Sequence, residues 1–342
     1  MYGRREVLGG IACLTGLAAC GPAIPSGTAP NTMRVSHGIP ANAPIGMMLQ
    51  GWAKRIEQRA AGAMRVVTFS NNQLLRSKSE VPAVARGDME AVVISNTSWG
   101  LTDAYIAGLS RPYSFRSYAE FKDFLSFAKI ERSPSYAGLG MRRLGWVWLS
   151  EKVGFTSNGR PLVSPEDFRG VKIRGLDGLI NSALIELGAA PVTMGGGEVF
   201  QSLQTNLIEA SITTIQAVHQ RRYFEVQDWC FAAPFYVTAF GVYVNERWWS
   251  RLPQGVQKII AEESERLEKT SVSLSQKELA ELPDLIRGAG MQYREANPAE
   301  VNLMEPIVTK AWDAAFLRET GAPGAAYLEL FRQWQSQRAD RS

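Results

Sequence analysis

Ser164-Pro165-Glu166-Asp167-Phe168-Arg169-Gly170-Val171-Lys172-Ile173-Arg174 opens a stretch that runs to Thr214 and decides the architecture of the chain. Ser164 is an N-cap residue, Pro165 suits the first helical position, and Glu166 and Asp167 place acids in the first turn. The spacing therefore predicts a short helix ending at Gly170. Val171 to Arg174 reads as a strand, with Arg174 at its carboxyl end beside the turn Gly175-Leu176-Asp177-Gly178. Leu179, Ile180, Ala183, Leu184 and Leu187 keep helical spacing, and Gly188 is a C-terminal cap. Ala190 to Met194 forms the next strand, Gly195-Gly196-Gly197 a flexible turn, Glu198 to about Thr205 a helix, and Leu207 to Thr214 a returning strand. Strands alternating with helices imply an α/β fold with a mostly parallel sheet, whose ligands sit beyond the carboxyl ends of the strands.

An arginine at such a strand end, among glycine turns, suits a carboxylate clamp, because a guanidinium grips a planar anion with two parallel hydrogen bonds. A structural salt bridge to Asp177 or Glu198 explains the same residue equally well.

Outward from this stretch, the chain begins with Arg4-Arg5, an apolar run from Val7 to Ala19, and Leu17-Ala18-Ala19-Cys20. A charged start, a short apolar core and small residues before a cut make residues 1–19 an export signal, too short for a spanning helix. The Leu-Ala-Ala-Cys ending resembles a bacterial lipobox, which makes Cys20 the lipidation site and the mature protein a membrane-anchored lipoprotein outside the cytoplasm. Arg4-Arg5 before Val7-Leu8 fits either twin-arginine or general secretory export. Residues 20–32, rich in Gly, Pro, Ala and Ser, read as a tether. Loss of Arg4, Arg5 and Glu6 with the signal takes the net charge from +4 to +3. With no clustered basic stripe, nothing points to nucleic acid. Of three cysteines only Cys230 remains in the body after processing, so no internal disulfide is expected.

The body of about 310 residues is long enough for two cored lobes. Met33–His37, Met64–Phe69, Met89–Ile94, Arg143–Leu149 and Tyr236–Asn245 read as strands, and Ile45–Ala60 and Val81–Arg86 as helices. From Pro253 to Arg287 runs one amphipathic pattern, with Val256, Ile260, Leu267, Leu282 and Ile286 in register. At roughly 50 Å it exceeds a small domain, so it bridges two lobes with a kink near Pro283, or else it pairs in a coiled coil. The expected lobes are residues 33–150 with 237–280, and 151–236 with 281–342.

Catalysis finds little support. His37 and His219 are the only histidines and neither belongs to a nucleophile or metal motif. Gly195-Gly196-Gly197 lacks both GxGxxG and a phosphate-loop lysine. Trp146, Trp148, Trp229, Phe235 and Tyr236 line a pocket or fill a core. The chain reads as a binder rather than an enzyme, with no metal or other cofactor.

Three runs, Ser164 to Arg174, Leu187-Gly188-Ala189-Ala190-Pro191-Val192-Thr193-Met194 and Glu198-Val199-Phe200-Gln201-Ser202-Leu203-Gln204-Thr205-Asn206, resemble the solute-binding proteins of TRAP transporters, the DctP family. Gln73-Leu74, Gly87-Asp88-Met89, Arg111-Pro112-Tyr113-Ser114-Phe115 and Asn245-Glu246 extend the resemblance over nearly the whole body. It implies a two-lobed periplasmic-binding-protein-like fold with a hinge and a long bridging helix. The implied function is capture of an organic acid in an interlobe cleft and its delivery to integral membrane subunits. The implied ligand positions are Arg174, Thr213, Met194, Gly196, Gly178, Gly38, Ser95, Trp146 and Tyr236. A repurposed lipoprotein acting as a ligand sensor or protein-docking module is the alternative. Four departures stand out: Gly154 where members commonly carry a second ligand arginine, Thr213 in place of an asparagine, Gly196 in place of a bulky side chain, and Gly178 as the small residue after the arginine turn. Each removes bulk or polarity, which predicts a larger, less polar pocket suited to a monocarboxylate with an apolar or aromatic body.

Overall fold

Two sheets carry the chain, and each is parallel except for one reversed strand. The computed structural model describes residues 31–99, 102–130, 138–176 and 178–339. The export signal, Cys20, all but the last residues of the tether, and Asp177 lie outside the described residues.

In chain order the strands are β1 (Thr32–His37), β2 (Arg65–Phe69), β3 (Ala91–Ser95), β4 (Met141–Ser150), β5 (Val153–Ser157), β6 (Lys172–Gly175), β7 (Ala190–Thr193), β8 (Ala210–Thr214), β9 (Trp229–Ala233), β10 (Thr238–Asn245) and β11 (Gln292–Glu295). The first sheet has the order β2-β1-β3-β10-β4 and the second β11-β9-β5-β8-β6-β7. β10 runs antiparallel to β3 and β4, and β5 antiparallel to β8 and β9. Both reversed strands follow immediately on a change of sheet: the chain leaves the first at Ser150, enters the second at Val153, and returns between Ala233 and Thr238. The mostly parallel expectation thus fails only where the chain crosses, because a two-to-four-residue link is too short for a parallel crossover.

The third crossing is the helix Gln254–Gly288, 35 residues and about 50 Å long. Val256, Ile260 and Leu267 join the core of β1, β3 and the helix Pro44–Arg59, whereas Leu282 and Ile286 join the core formed by Val199, Ile215, Cys230 and Tyr293 on the second sheet. One apolar stripe is thereby shared between two cores. Pro283 lies inside this helix without ending it.

The opposite face of both sheets is a single continuous core, running from Val92 and Trp146 through Phe155 and Ile173 to Trp312. The helix Pro298–Thr320 packs on the helix Gly178–Glu186 beside the second sheet. The last helix, Ala322–Ala339, departs from the expected lobe boundary. It packs on Ala104–Gly108 and Tyr118–Ala128, helices that accompany the first sheet. Tyr327, fully buried, stacks edge-on to Phe124 at 5.5 Å, so aromatic packing rather than chain order sets where this helix rests.

Candidate functional site

β6 is only four residues long, yet its alternation fixes the site. Ile173 points into the continuous core and Arg174 to the other face, beside Ser211 of β8. The capping box of Ser164 and Asp167 starts the short helix that aims this strand: Asp167 Oδ2 accepts from the Ser164 N–H at 2.9 Å.

Arg174 is 8% exposed. Its Nη1 donates to the carbonyl of Ile212 at 2.9 Å, its Nε has no partner, and among the described residues no carboxylate lies within ion-pair distance of it. Burial pulls the guanidinium below the ordinary arginine value. The phenols of Tyr236 and Tyr223 oppose the shift and the neighbouring Arg221 adds to it. The structural salt bridge weighed from sequence is therefore not made to Glu198, and Asp177 lies outside the described residues. Ser211 Oγ, buried on the same face of the sheet, also lacks a partner. Unpaired polar atoms at this depth cost about 1–3 kcal/mol each unless something fills the space in front of them.

In front of Arg174 lies a cavity of about 730 Å³ between the two sheets. Leu176, Gly178, Met194 and Gly196 line it from the second sheet, and Val81, Thr97 and Trp99 from the first. Four of the residues singled out from sequence, Arg174, Gly178, Met194 and Gly196, are thus brought together. Thr213 is buried on the same face of β8, opposite Gly154 of β5. Gly38 lines a separate cavity of about 100 Å³ with Phe240, Gln216 and Arg221. Ser95 caps a turn: its Oγ accepts from the Thr97 N–H at 3.3 Å, so it positions a wall residue without lining the wall. Tyr236 sits in the crossover between β9 and β10, 4% exposed, with its phenol felt by Arg174.

Trp146 is a core residue and lines neither cavity. It lies edge-on to Phe121 at 5.2 Å, carries the Arg143 guanidinium over its ring at 5.2 Å, and is 1% exposed. Its side of β4 faces the helix Tyr118–Ala128, a fact of packing that strand alternation alone does not reveal.

Lys78 and Glu319 also line the large cavity and went unnoticed in the sequence. Lys78 sits in the first turn of the helix Ser77–Arg86, whose Arg-Ser-Lys-Ser-Glu start held a usable signal. Glu319 ends a helix some 145 residues after Arg174 and had no local signal at all.

Gly154, Gly196 and Gly178, three of the departures, also resolve. A β-carbon at Gly154 would meet Cys230 Sγ at 2.8 Å and Val218 at 3.2 Å, so the room for a side chain there is already filled by apolar groups. The missing side chain at Gly196 is replaced by a neighbour: the Arg221 guanidinium lies 3.0–3.3 Å from where its β-carbon would be. The open side of Gly178 faces Glu319 Oε1 at 4.0 Å. The crevice therefore regains at Gly196 and Gly178 polarity that the sequence had appeared to remove.

Residues 35–319 match the model of bacterial extracellular solute-binding protein family 7, DctP, and the chain belongs to this family of solute-binding receptors. It is 28% identical over 258 residues to the C4-dicarboxylate-binding periplasmic protein DctP of Shewanella loihica, covering 72% of this chain and 74% of the relative. To the Rhodobacter capsulatus protein of the same name it is 24% identical over 324 residues, covering 90% and 93%. A TRAP periplasmic solute-binding protein from Desulfovibrio salexigens with bound orotic acid superposes with a TM-score of 0.81 at 20% identity, over 90% of this chain and 99% of that one. A Shewanella oneidensis counterpart with bound succinate gives 0.75 at 23% identity, over 90% and 99%. At these identities the solved structures establish the fold. Among the described residues no helix is long and apolar enough to cross a membrane.

Proposed function

We propose that the chain is the extracytoplasmic solute-binding subunit of a TRAP-type secondary transporter, capturing an organic carboxylate between its two sheets and handing it to integral membrane subunits. The observation that carries this reading is Arg174: a buried guanidinium with no carboxylate partner among the described residues, opening on a cavity. A ligand carboxylate supplies the missing acceptor, and a buried charge-assisted hydrogen bond is worth about 1.5–3 kcal/mol. Relatives and neighbours that bind succinate, orotate and C4-dicarboxylates support the same class.

In this reading Met194, Gly196 and Gly178 shape the wall around the ligand body, with Thr213 and Tyr236 beside the guanidinium, Ser95 holding the Thr97 turn on the opposing wall, and Gly38 on the smaller neighbouring cavity. The links 151–152 and 234–237 act as hinges, the long helix limits the motion, and closure excludes water. Cys20 carries the lipid that keeps the receptor at its membrane. A volume in the upper half of the ~300–1,000 Å³ usual for ligand sites supports a monocarboxylate larger than a C4 acid, with Val81, Trp99, Leu176 and Met194 receiving an apolar part of its body while Lys78 and Glu319 face polar parts.

The test is a thermal-shift screen of the body, from residue 31 onwards, against a panel of carboxylic acids, with Arg174→Ala alongside. A ligand at a hundred times its Kd stabilises by about 2.7 kcal/mol, a shift of a few degrees. Arg174→Ala binding the best acid as tightly as wild type would refute the clamp. Tightest binding of a small dicarboxylate would refute the larger monocarboxylate.

A further inference from the structure

Arg221 follows the helix Ile215–Gln220, which springs from the end of β8, and its backbone N–H closes that helix on Ala217. Its side chain is half-buried and makes no ion pair or side-chain hydrogen bond among the described residues. The guanidinium lies against Gly196, the same glycine that lines the cavity in front of Arg174, and it also lines the smaller cavity beside Gly38 and Phe240. Arg174 lines the larger cavity and Arg221 the smaller, the Arg221 guanidinium touches the Gly196 that belongs to the larger one, and its charge is felt at Arg174. Like charges so placed cost free energy in the empty protein and repay it only when an electron-rich group enters.

A guanidinium is donor-only, so whatever faces it on a ligand must be an acceptor. Arg174 is the buried member, and one carboxylate suffices to neutralise it. Arg221 keeps contact with water, and so asks for a hydrogen-bond acceptor without requiring a full second charge. We propose that Arg221 is a specificity-determining residue of this site and that the ligand is a monocarboxylic acid bearing a second, uncharged acceptor oxygen such as a carbonyl on its Gly196 side. This rests on the carboxylate-binding reading above and narrows it. It also gives Gly196 a role: a side chain there would take the space that the Arg221 guanidinium occupies.

The experiment measures affinities of two acid pairs matched in size and differing in one acceptor oxygen: 4-acetylbenzoate against 4-isopropylbenzoate, and phenylpyruvate against 3-phenylpropanoate. The wild-type body, Arg221→Ala, Gly196→Ala and Arg174→Ala are compared by calorimetry. The expected result is a preference of about tenfold for the acceptor-bearing member in the wild type, falling to within about twofold in Arg221→Ala. Gly196→Ala, whose added carbon crowds the guanidinium at 3.0 Å, loses part of the same preference without touching Arg221 itself. Arg174→Ala weakens all four acids together. Equal affinity within each pair, a preference that survives Arg221→Ala, or no binding of either acceptor-bearing acid overturns the proposal. Acid binding that is indifferent to Arg174 instead overturns the reading on which it rests.

Discussion

Arg174 Nη1 donates to the carbonyl oxygen of Ile212 at 2.9 Å, and this is the hydrogen bond that aims the guanidinium while leaving its Nε unpartnered. One neutral acceptor orients a buried cation but does not offset its desolvation. The residue is therefore held ready for an anion at the expense of the empty fold.

From this follows a split between binding and stability. Arg174→Met fills the same space without a charge, so the ligand-free protein is expected to gain on the order of 1–3 kcal/mol. Affinity for its acid is expected to fall ten- to a hundredfold or more. Urea unfolding and calorimetry on one preparation measure both. A variant less stable than wild type would mean that the guanidinium is already satisfied in the empty protein.

A second prediction concerns pH. Glu80, 1% exposed, accepts from Ser36 Oγ at 3.2 Å, and burial pushes its carboxyl up to about 8 from an ordinary 4.5. His37 on the neighbouring position of β1 is pushed down to about 4 from 6.5, chiefly by burial. The raised carboxyl makes stability fall as pH climbs from 4.5 to 8, since the unfolded chain releases that proton first. The lowered imidazole makes stability fall as pH drops from 6.5 to 4, since the unfolded chain takes up that proton first. Between pH 4.5 and 6.5 the two slopes oppose each other, and above 6.5 Glu80 acts alone. Relative to wild type, Glu80→Gln should gain progressively from pH 4.5 to 8, on the order of 3 kcal/mol by pH 7.5. His37→Gln should gain only on acidification below 6.5. Parallel unfolding curves for wild type and Glu80→Gln across pH 5–8 would show that Glu80 ionises normally in the fold.

Much of this was legible where the signal is local. Arg174 could be placed because cap, proline, strand and glycine turn lie within fifteen residues, and the long helix because apolar residues recur at helical spacing from Val256 to Ile286 with no turn signal between them. Side chains that meet across the chain were not legible. Gly196 reads as empty space until Arg221, twenty-five residues on, is seen to fill it, and Glu319 joins the site only after the whole second sheet has closed. Trp146 shows the opposite failure: a strand says that alternate residues share a face, but not whether that face meets a ligand or the helix Tyr118–Ala128.

The long helix is tied to β4 by Ser271, Ser275 and one carboxylate, and the carboxylate yields a third prediction. Glu268 Oε2 accepts from the Trp146 N–H at 2.8 Å, while Oε1 takes the Tyr118 hydroxyl and Lys122 Nζ. Burial pushes this carboxyl upward, but the hydrogen bonds from Lys122, Tyr118 and the Trp146 N–H outweigh it and hold it below the usual range. Gly145 lets the helix come this close, since a β-carbon there would sit 3.1 Å from Glu268 Oε2. Glu268→Ala leaves a buried N–H and hydroxyl without acceptors and should cost about 3 kcal/mol. Lys122→Ala, at a half-exposed ammonium, should cost less than about 1 kcal/mol. Comparable losses from the two substitutions in denaturant unfolding would move the weight from the buried donors to the ion pair.

A final prediction addresses the strand on which the family resemblance leads one to expect another ligand arginine. Gly154 pairs with Thr213 on one side and Ala232 on the other, and a β-carbon on it would lie 2.8 Å from Cys230 Sγ and 3.2 Å from Val218. Cys230 is fully buried, and burial pushes its thiol up to about 12, so it packs as a small apolar group. Gly154→Ala should therefore destabilise by about 1–3 kcal/mol through overpacking. Cys230→Ala alone should also cost stability, by removing a buried sulfur. Combined, the two should recover part of the loss, because the methyl enters the space the sulfur leaves, giving a coupling on the order of 1 kcal/mol. A double-mutant cycle in urea measures it. Simple additivity would mean that Cys230 is not what keeps position 154 a glycine, and would reopen the strand to a side chain directed at the ligand.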